Sequence, residues 1–121
     1  MTEITLFDSN GSATAYISDD RDGTIYLWSG EAVAYLKQDH IYGFNGAHLG
    51  WFDAGIARDS KGYAVGYIKN TCPKITKIEP IKKIKKIKKV KSIAKVAPIK
   101  PTNKSGSSAL PLLVFLQAGA K

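Results

Sequence analysis

The sequence predicts an all-β fold: four β-hairpin repeats around a pseudo-fourfold axis, forming a small closed or bowl-like barrel, followed by an extended, mostly irregular tail rich in Lys and Ile. Three observations lead to this prediction. Residues 1–70 contain four copies of one motif, each copy has the residues of a hairpin, and an apolar residue recurs every third position after residue 74. We therefore divide the chain into a hairpin domain (1–70), a tail (71–101), a linker (102–108) and an apolar C-terminal segment (109–121).

The four copies span residues 4–17, 25–36, 41–52 and 56–68. Each begins with Ile and contains a glycine, and four residues after that glycine a small residue is followed by an aromatic one. A small residue beside a large ring lets a neighbouring group approach closely, as at a crowded barrel axis. These small–aromatic steps are Ala15 with Tyr16, Ala34 with Tyr35, Gly50 with Trp51, and Gly66 with Tyr67.

Turn chemistry supports hairpins in all four copies. Ser29-Gly30 and Asn45-Gly46 are expected to form two-residue turns, because Gly and Asn tolerate positive φ. The longer sequences DSNG and DSKG predict a turn with a bulge. A unit of this size cannot bury its apolar face alone, so the four hairpins are expected to pack together around one axis.

The strings TIYLWSGEAVAYL, IYGFNGAHLGWF and GIARDSKGYAVGYI resemble the four-fold beta flower family, a bacterial family of hairpin petals. The resemblance covers about residues 3 to 70 and extends into the tail, because that family carries an Ile-rich, Lys/Pro-rich run after the fourth petal. It implies the fold but no activity. The ending SALPLLVFLQAGAK departs from the family's usual Trp-containing, acidic ending.

Charge divides the chain at the same boundary. Residues 1–70 carry a net charge of −4, whereas residues 71–121 carry thirteen Lys against Glu79 alone, a net charge of +12. The single Cys72 excludes a disulfide framework, and no Cys/His spacing suits zinc. The N-terminus has no signal-peptide pattern, so we expect a cytoplasmic protein, peripheral on the inner membrane face if it binds lipid.

The tail has a period of three residues. Nine apolar residues recur at every third position between Ile75 and Ile99, which is the repeat of a polyproline II helix and does not give an α-helix a stable face. Pro80 and Pro98 favour the extended form. We predict an extended segment with one apolar edge and two mostly cationic edges. The apolar edge includes Ile78, Ile81, Ile84, Ile87 and Val90.

Three interpretations of the tail remain open. It is disordered; or its Ile edge packs on the aromatic face of the hairpin domain or of another copy, while Lys offsets the negative charge; or it binds an anionic surface, as polybasic segments with interleaved apolar residues do. The third makes anionic lipid the partner, and the second makes self-association or another protein the partner. The lysines predicted to bind an anionic surface are Lys82, Lys83, Lys85, Lys86, Lys88, Lys89 and Lys91.

Other function classes have less support. Sequence-specific nucleic-acid binding is disfavoured because the tail has no Arg and no aromatic residue among its lysines, which leaves non-specific binding as an alternative. Asp39, His40 and His48 form no metal or catalytic motif, so we expect no enzyme, no cofactor and no metal. The run 110–116 is expected to form a short strand or helix on a hydrophobic face, and we hypothesise that it plugs the barrel.

Overall fold

A computed structural model describes residues 3–88, 90–104, 107–108 and 110–120. Eight antiparallel strands follow one another in chain order around a closed barrel, which the pairing of Phe7 with Tyr67 closes. Hairpin 1 is β1–β2, hairpin 2 is β3–β4, hairpin 3 is β5–β6 and hairpin 4 is β7–β8. The predicted all-β fold with four hairpins is confirmed. The strands are β1 (Ile4–Phe7), β2 (Ala13–Ile17), β3 (Thr24–Leu27), β4 (Ala32–Lys37), β5 (His40–Gly43), β6 (His48–Asp53), β7 (Ile56–Arg58) and β8 (Ala64–Tyr67).

All four hairpins close in the same way. In hairpin 2, the Gly30 N–H donates to the Leu27 carbonyl at 2.8 Å and the Leu27 N–H donates to the Glu31 carbonyl at 2.8 Å. Hairpins 1, 3 and 4 repeat this pattern, and every hairpin shows a bulge next to the turn. The prediction of two-residue turns at Ser29-Gly30 and Asn45-Gly46 was wrong. A type I turn followed by a glycine with positive φ needs three loop residues, so Trp28 and Phe44 belong to the loops.

The barrel interior is aliphatic and small. Its core cluster includes Leu6, Ile25 and Ile41 together with Ala15 and Ala34, which are fully buried. Tyr16 and Tyr26 alternate with these residues and stack on the outer wall with their ring centroids 5.6 Å apart. The period-two pattern of the strands therefore separates an aliphatic inside from an aromatic outside.

The only helix of the described residues, α1 (Leu112–Gln117), packs its buried face against the barrel interior and is here called the plug helix. Leu112, Phe115 and Leu116 are buried and belong to the core cluster. The small residues of the wall make room for it, since a Cβ at Gly66 would lie 2.9 Å from Leu112 Cδ1. The structure thus places the apolar C-terminal run where the plug hypothesis expects it. No described helix has both the length and the apolarity to cross a bilayer.

Residues 75–104, here called the girdle, form no helix and no strand in their described part. The girdle follows the outside of the barrel and passes the turn of each hairpin in order. The interpretation that the Ile edge lies on the aromatic wall is contradicted, because Ile84 is 90% exposed while the ammonium of Lys82 lies 4.4 Å from the Tyr16 ring centroid. The lysines cover the aromatic wall because their aliphatic stems and their cationic heads both interact favourably with rings.

Candidate functional site

The girdle is bound to the barrel in steps of nine residues. Its backbone N–H groups donate to the carbonyl of the turn glycine in each hairpin, at distances of 2.9 to 3.1 Å. Nine residues are three repeats of the period of three, so each hairpin meets the same edge of the girdle. The four bonds are Lys77 to Gly11, Lys86 to Gly30, Lys95 to Gly46 and Lys104 to Gly62.

The turn glycines also leave room for the girdle. Gly11 has a φ of +83°, and a Cβ there would lie 2.6 Å from the carbonyl oxygen of Ile75. Gly62 has a φ of +93°, and a Cβ there would lie 2.6 Å from the carbonyl oxygen of Thr102. Any larger residue at these turns would therefore strain the turn and displace the girdle as well.

The period of three gives the girdle three edges. The inner register (76, 79, 82, 85, 88, 91, 94, 97, 100) faces the barrel, and it includes Thr76, Lys82, Lys91, Ala94 and Ala97, which are partly buried. The turn register (77, 80, 83, 86, 92, 95, 98, 101, 104) contains the residues whose N–H groups reach the hairpin turns, which are those at 77, 83, 86, 92, 95 and 104. The apolar register points away from the barrel.

Inner-register lysines are held by carboxylates and aromatic rings. Lys82 lies 2.9 Å from Glu3, and its ammonium contacts the rings of Tyr16 and Trp28 at 4.4 and 5.4 Å. Nine residues later, Lys91 lies 3.1 Å from Asp22. Its ammonium lies 4.2 Å from the Tyr35 ring centroid and 5.9 Å from that of Phe44. The third member of this series is Lys100, 2.7 Å from Asp53 and 4.0 Å from Asp39.

These contacts shift the pKa values of the groups involved. Hydrogen bonds from Lys85 and Lys82 lower the pKa of Glu3, and the same pairing with Glu3 raises the pKa of Lys85. The hydrogen bond from Lys100 lowers the pKa of Asp53. Ionised carboxylates of the barrel and charged lysines of the girdle therefore stabilise each other.

The apolar register is exposed along its whole length. Its nine side chains have exposed fractions between 90% and 99%, whereas a folded protein of this kind ordinarily leaves apolar residues exposed singly. They form a continuous row because an extended backbone with three residues per turn brings every third side chain to the same edge. The row consists of Ile75, Ile78, Ile81, Ile84, Ile87, Val90, Ile93, Val96 and Ile99.

The predicted anionic-surface lysines do not act as one group in the structure. Lys82, Lys85, Lys88 and Lys91 are inner-register residues paired with acidic residues of the barrel. Lys83 and Lys86 belong to the turn register, and Lys86 is 3.7 Å from Glu31. Lys89 lies outside the described residues. The charge open to a partner is thus smaller than the composition of the tail indicates.

The small–aromatic steps are divided between the two sides of the wall. Ala15, Ala34, Gly50 and Gly66 face the interior, where Gly50 lies against Phe115 and Gly66 against Leu112. Their aromatic partners lie on the outside: Tyr16 and Tyr35 lie beneath inner-register lysines, Trp51 contacts His48, and Tyr67 bonds Ser107. Gly50 and Gly66 therefore make room for the plug helix on the inside, and Tyr16 and Tyr35 contact the girdle on the outside.

Hairpin 3 differs from the others in carrying a histidine pair. The Nδ1 atom of His40 lies 3.0 Å from Nε2 of His48, and burial lowers the pKa of His48. The His48 ring contacts Trp51 with centroids 4.7 Å apart. A cleft of about 590 Å³ opens beside His48 and the plug helix. Among the described residues, no three His, Cys, Asp or Glu side chains are grouped to hold a metal ion.

Sequence reasoning missed the nine-residue register that joins the girdle to the hairpins. A signal was present: Glu3, Asp22 and Asp39 each come just before the first strand of a hairpin, and Lys82, Lys91 and Lys100 follow in the same order at intervals of nine. This match becomes visible only when the nine-residue spacing of the lysines is compared with the order of the hairpins.

The architecture defines a pseudo-fourfold β-barrel protein, in which four similar hairpins surround the buried face of a helix and are encircled by an extended segment. Compared with known families, residues 4–116 match the family described as 4-fold beta flower protein. The match spans the barrel, the girdle and most of the plug helix, so the chain belongs to this family, and the predicted resemblance is confirmed. No curated protein and no solved structure matches the chain. The family has no known function, so membership carries the fold and no activity.

Proposed function

We propose that the protein is a non-catalytic binding module whose girdle associates with anionic membrane lipid. The observation that carries the proposal is the exposed apolar row, in which all nine side chains are at least 90% exposed. A row of aliphatic side chains in water is unfavourable, and removing it from water stabilises by up to about 2 kcal/mol for each fully buried Ile. A partner that covers the row is therefore expected.

The charge beside the row selects the partner. The turn register places Lys77, Lys83, Lys86 and Lys95 next to the apolar residues. Among the described residues Lys83 has no carboxylate within ion-pair distance, and it contributes its full positive charge to the surface. An aliphatic row flanked by ammonium groups fits the boundary between anionic headgroups and acyl chains, where each Lys contributes about 1 kcal/mol.

The proposal is tested by co-sedimentation of the full chain with vesicles. We expect binding to vesicles of phosphatidylcholine with phosphatidylserine, weaker binding as salt increases, and little binding to phosphatidylcholine alone. Replacing Ile81, Ile84 and Ile87 with Ser is expected to weaken vesicle binding at every salt concentration. The matched control replaces Thr102, Asn103 and Thr71 with Ser, which changes polar residues outside the apolar row.

Two results would overturn lipid binding in favour of another function. Equal binding to vesicles and to duplex DNA, with the same salt dependence and no effect of the Ile substitutions, would show non-specific polyanion binding. No vesicle binding, together with a molecular mass that rises with concentration in light scattering, would show that a second copy of the chain covers the row.

A further inference from the structure

The girdle is a ring, and this shape restricts how it meets a flat surface. It contacts the turns of hairpins 1, 2, 3 and 4 in order around a closed barrel. The inner register points to the barrel, so the other two edges of a threefold backbone both point obliquely outward. Side chains on opposite sides of the ring therefore point in opposite radial directions. A planar membrane that approaches the barrel from the side can contact only one arc at a time.

Two arcs can be compared residue by residue because they are nine positions apart. The basic arc comprises residues 81–88 over hairpin 2, and the sparse arc comprises residues 90–97 over hairpin 3. Lys86 and Lys95 occupy equivalent places, since each donates its N–H to a turn glycine. Lys83 and Ser92 are also equivalent, since they donate to the carbonyls of Trp28 and Phe44 at 3.2 and 2.8 Å.

The basic arc has the greater positive charge. It contains five lysines, and three carboxylates pair with them, Lys82 and Lys85 sharing Glu3. The sparse arc contains two lysines, of which Lys91 is paired with Asp22. The basic arc therefore carries two unmatched positive charges, whereas the sparse arc carries one. A single additional lysine near an anionic surface strengthens binding by about fivefold.

The basic arc also has the larger apolar surface. Its outward residues are Ile81, Ile84 and Ile87, all at least 90% exposed, whereas the sparse arc has Val90, Ile93 and Val96. The two Ile-for-Val differences add two methylene groups, and each strengthens binding by about fourfold when it is fully buried. Charge and apolar area favour the same arc.

We infer that the protein docks on anionic lipid sideways, through the basic arc over hairpin 2, while the sparse arc over hairpin 3 stays in water. This inference rests on the proposed function and adds its orientation. The inner-register lysines do not contact the lipid, because they are held on the barrel wall by carboxylates and rings. Lys82 and Lys85, which share one carboxylate, act on the lipid only at a distance, through the one positive charge that they add to the basic arc.

The orientation is tested with two reporters in the full chain carrying Cys72→Ser. Ile84→Cys and Ile93→Cys are each labelled with an environment-sensitive fluorophore, at exposed positions nine residues apart. With vesicles containing phosphatidylserine, we expect a blue shift from the label at position 84 and almost none from the label at position 93.

A transposed chain provides the matched control. It exchanges the arcs by Ile81→Val, Lys83→Ser, Ile87→Val, Val90→Ile, Ser92→Lys and Val96→Ile, and so keeps the composition, the net charge and every backbone N–H. We expect unchanged overall affinity and a blue shift that moves from position 84 to position 93.

The outcomes separate the two proposals. Equal shifts at both positions, or a shift that stays at position 84 in the transposed chain, would overturn the orientation while lipid binding stands. If the parent chain does not sediment with anionic vesicles at all, lipid binding fails and the orientation fails with it.

Discussion

The plug helix and the girdle both belong to the chain that follows the hairpins, and they cover opposite sides of the same wall. The plug helix fills the interior with Leu112, Phe115 and Leu116, which are at most 3% exposed. The girdle covers the exterior with backbone hydrogen bonds and with ammonium groups paired to carboxylates such as Glu3. One element is held by apolar burial, and the other is held by polar contacts.

This difference determines what each element can respond to. Apolar packing depends on volume and is almost insensitive to salt and to mild changes of pH. Partly exposed ion pairs are weakened by salt and by protonation of their carboxylates. The girdle is therefore the part of the molecule that a charged surface can influence, while the plug helix keeps the barrel intact.

The largest effect is expected from shortening the largest buried side chain of the plug helix. Phe115→Ala is expected to lower the free energy of unfolding by about 3–5 kcal/mol, because it leaves a cavity in the core cluster. Leu113→Ala is the matched control on the same helix, since Leu113 is 42% exposed. Urea denaturation measures both. Equal losses for the two variants would contradict the placement of the helix in the barrel.

A smaller effect is expected where the barrel touches the girdle. Gly30 has a φ of +100°, and a Cβ there would lie 3.1 Å from the backbone carbon of Ile84. Gly30→Ala is expected to lower the free energy of unfolding by about 1–2 kcal/mol from backbone strain alone. It is also expected to speed hydrogen exchange at the Lys86 amide, which bonds the Gly30 carbonyl at 2.9 Å.

Gly23→Ala separates strain from displacement of the girdle. Gly23 also has positive φ, at +60°, but a Cβ there would meet Leu36 and not the girdle. Its cost in stability should be similar, while exchange at Lys86 should stay at the parent rate. Faster exchange in both variants would show that the girdle responds to the stability of the barrel and not to the contact at Gly30.

The sequence predicted the barrel well because its signals are local. Ile25 and Leu27 alternate with Tyr26 within one strand, and each copy repeats the same turn residues, so neither feature depends on distant contacts. The turn length in hairpins 2 and 3 was missed because Trp28 and Phe44 have strand-like side chains and yet occupy loop positions. Side-chain chemistry could not distinguish those positions from the end of a strand.

The girdle was predicted only in part, because its side-chain period is a local signal whereas its contacts with the barrel are distant in sequence. Its period of three gave three edges, but sequence alone could not tell which edge faces the barrel. Apolar burial favours the Ile edge, whereas Lys82 and Lys91 gain both a carboxylate and an aromatic ring. The choice depended on carboxylates placed more than sixty residues earlier, and contacts of this range are not visible in a local pattern.

The smallest effect on stability is expected at Glu3, whose side chain is 24% exposed and pairs with Lys82 at 2.9 Å and Lys85 at 2.7 Å. Its pKa is lower in the folded chain than in the unfolded one. The pair therefore stabilises the fold above the ordinary pKa of a carboxyl group, and this stabilisation is lost as pH falls through the lowered pKa. Glu3→Gln is expected to reduce stability at neutral pH by at most about 1 kcal/mol. When the melting temperature is measured against pH, the variant is expected to lose less of it than the parent chain as the pH falls.

The same substitution has the opposite effect on lipid. It leaves Lys82 and Lys85 without their shared carboxylate, so the basic arc gains one unmatched positive charge, and vesicle binding is expected to strengthen by about fivefold. Glu31→Gln is the matched control for the net charge, because Glu31 lies beside the same arc, is more exposed than Glu3 and pairs with Lys86 at the longer distance of 3.7 Å. If Glu3→Gln weakens vesicle binding while the girdle remains on the barrel, the unmatched positive charge of the basic arc does not govern lipid binding, and the preference for this arc loses its electrostatic basis.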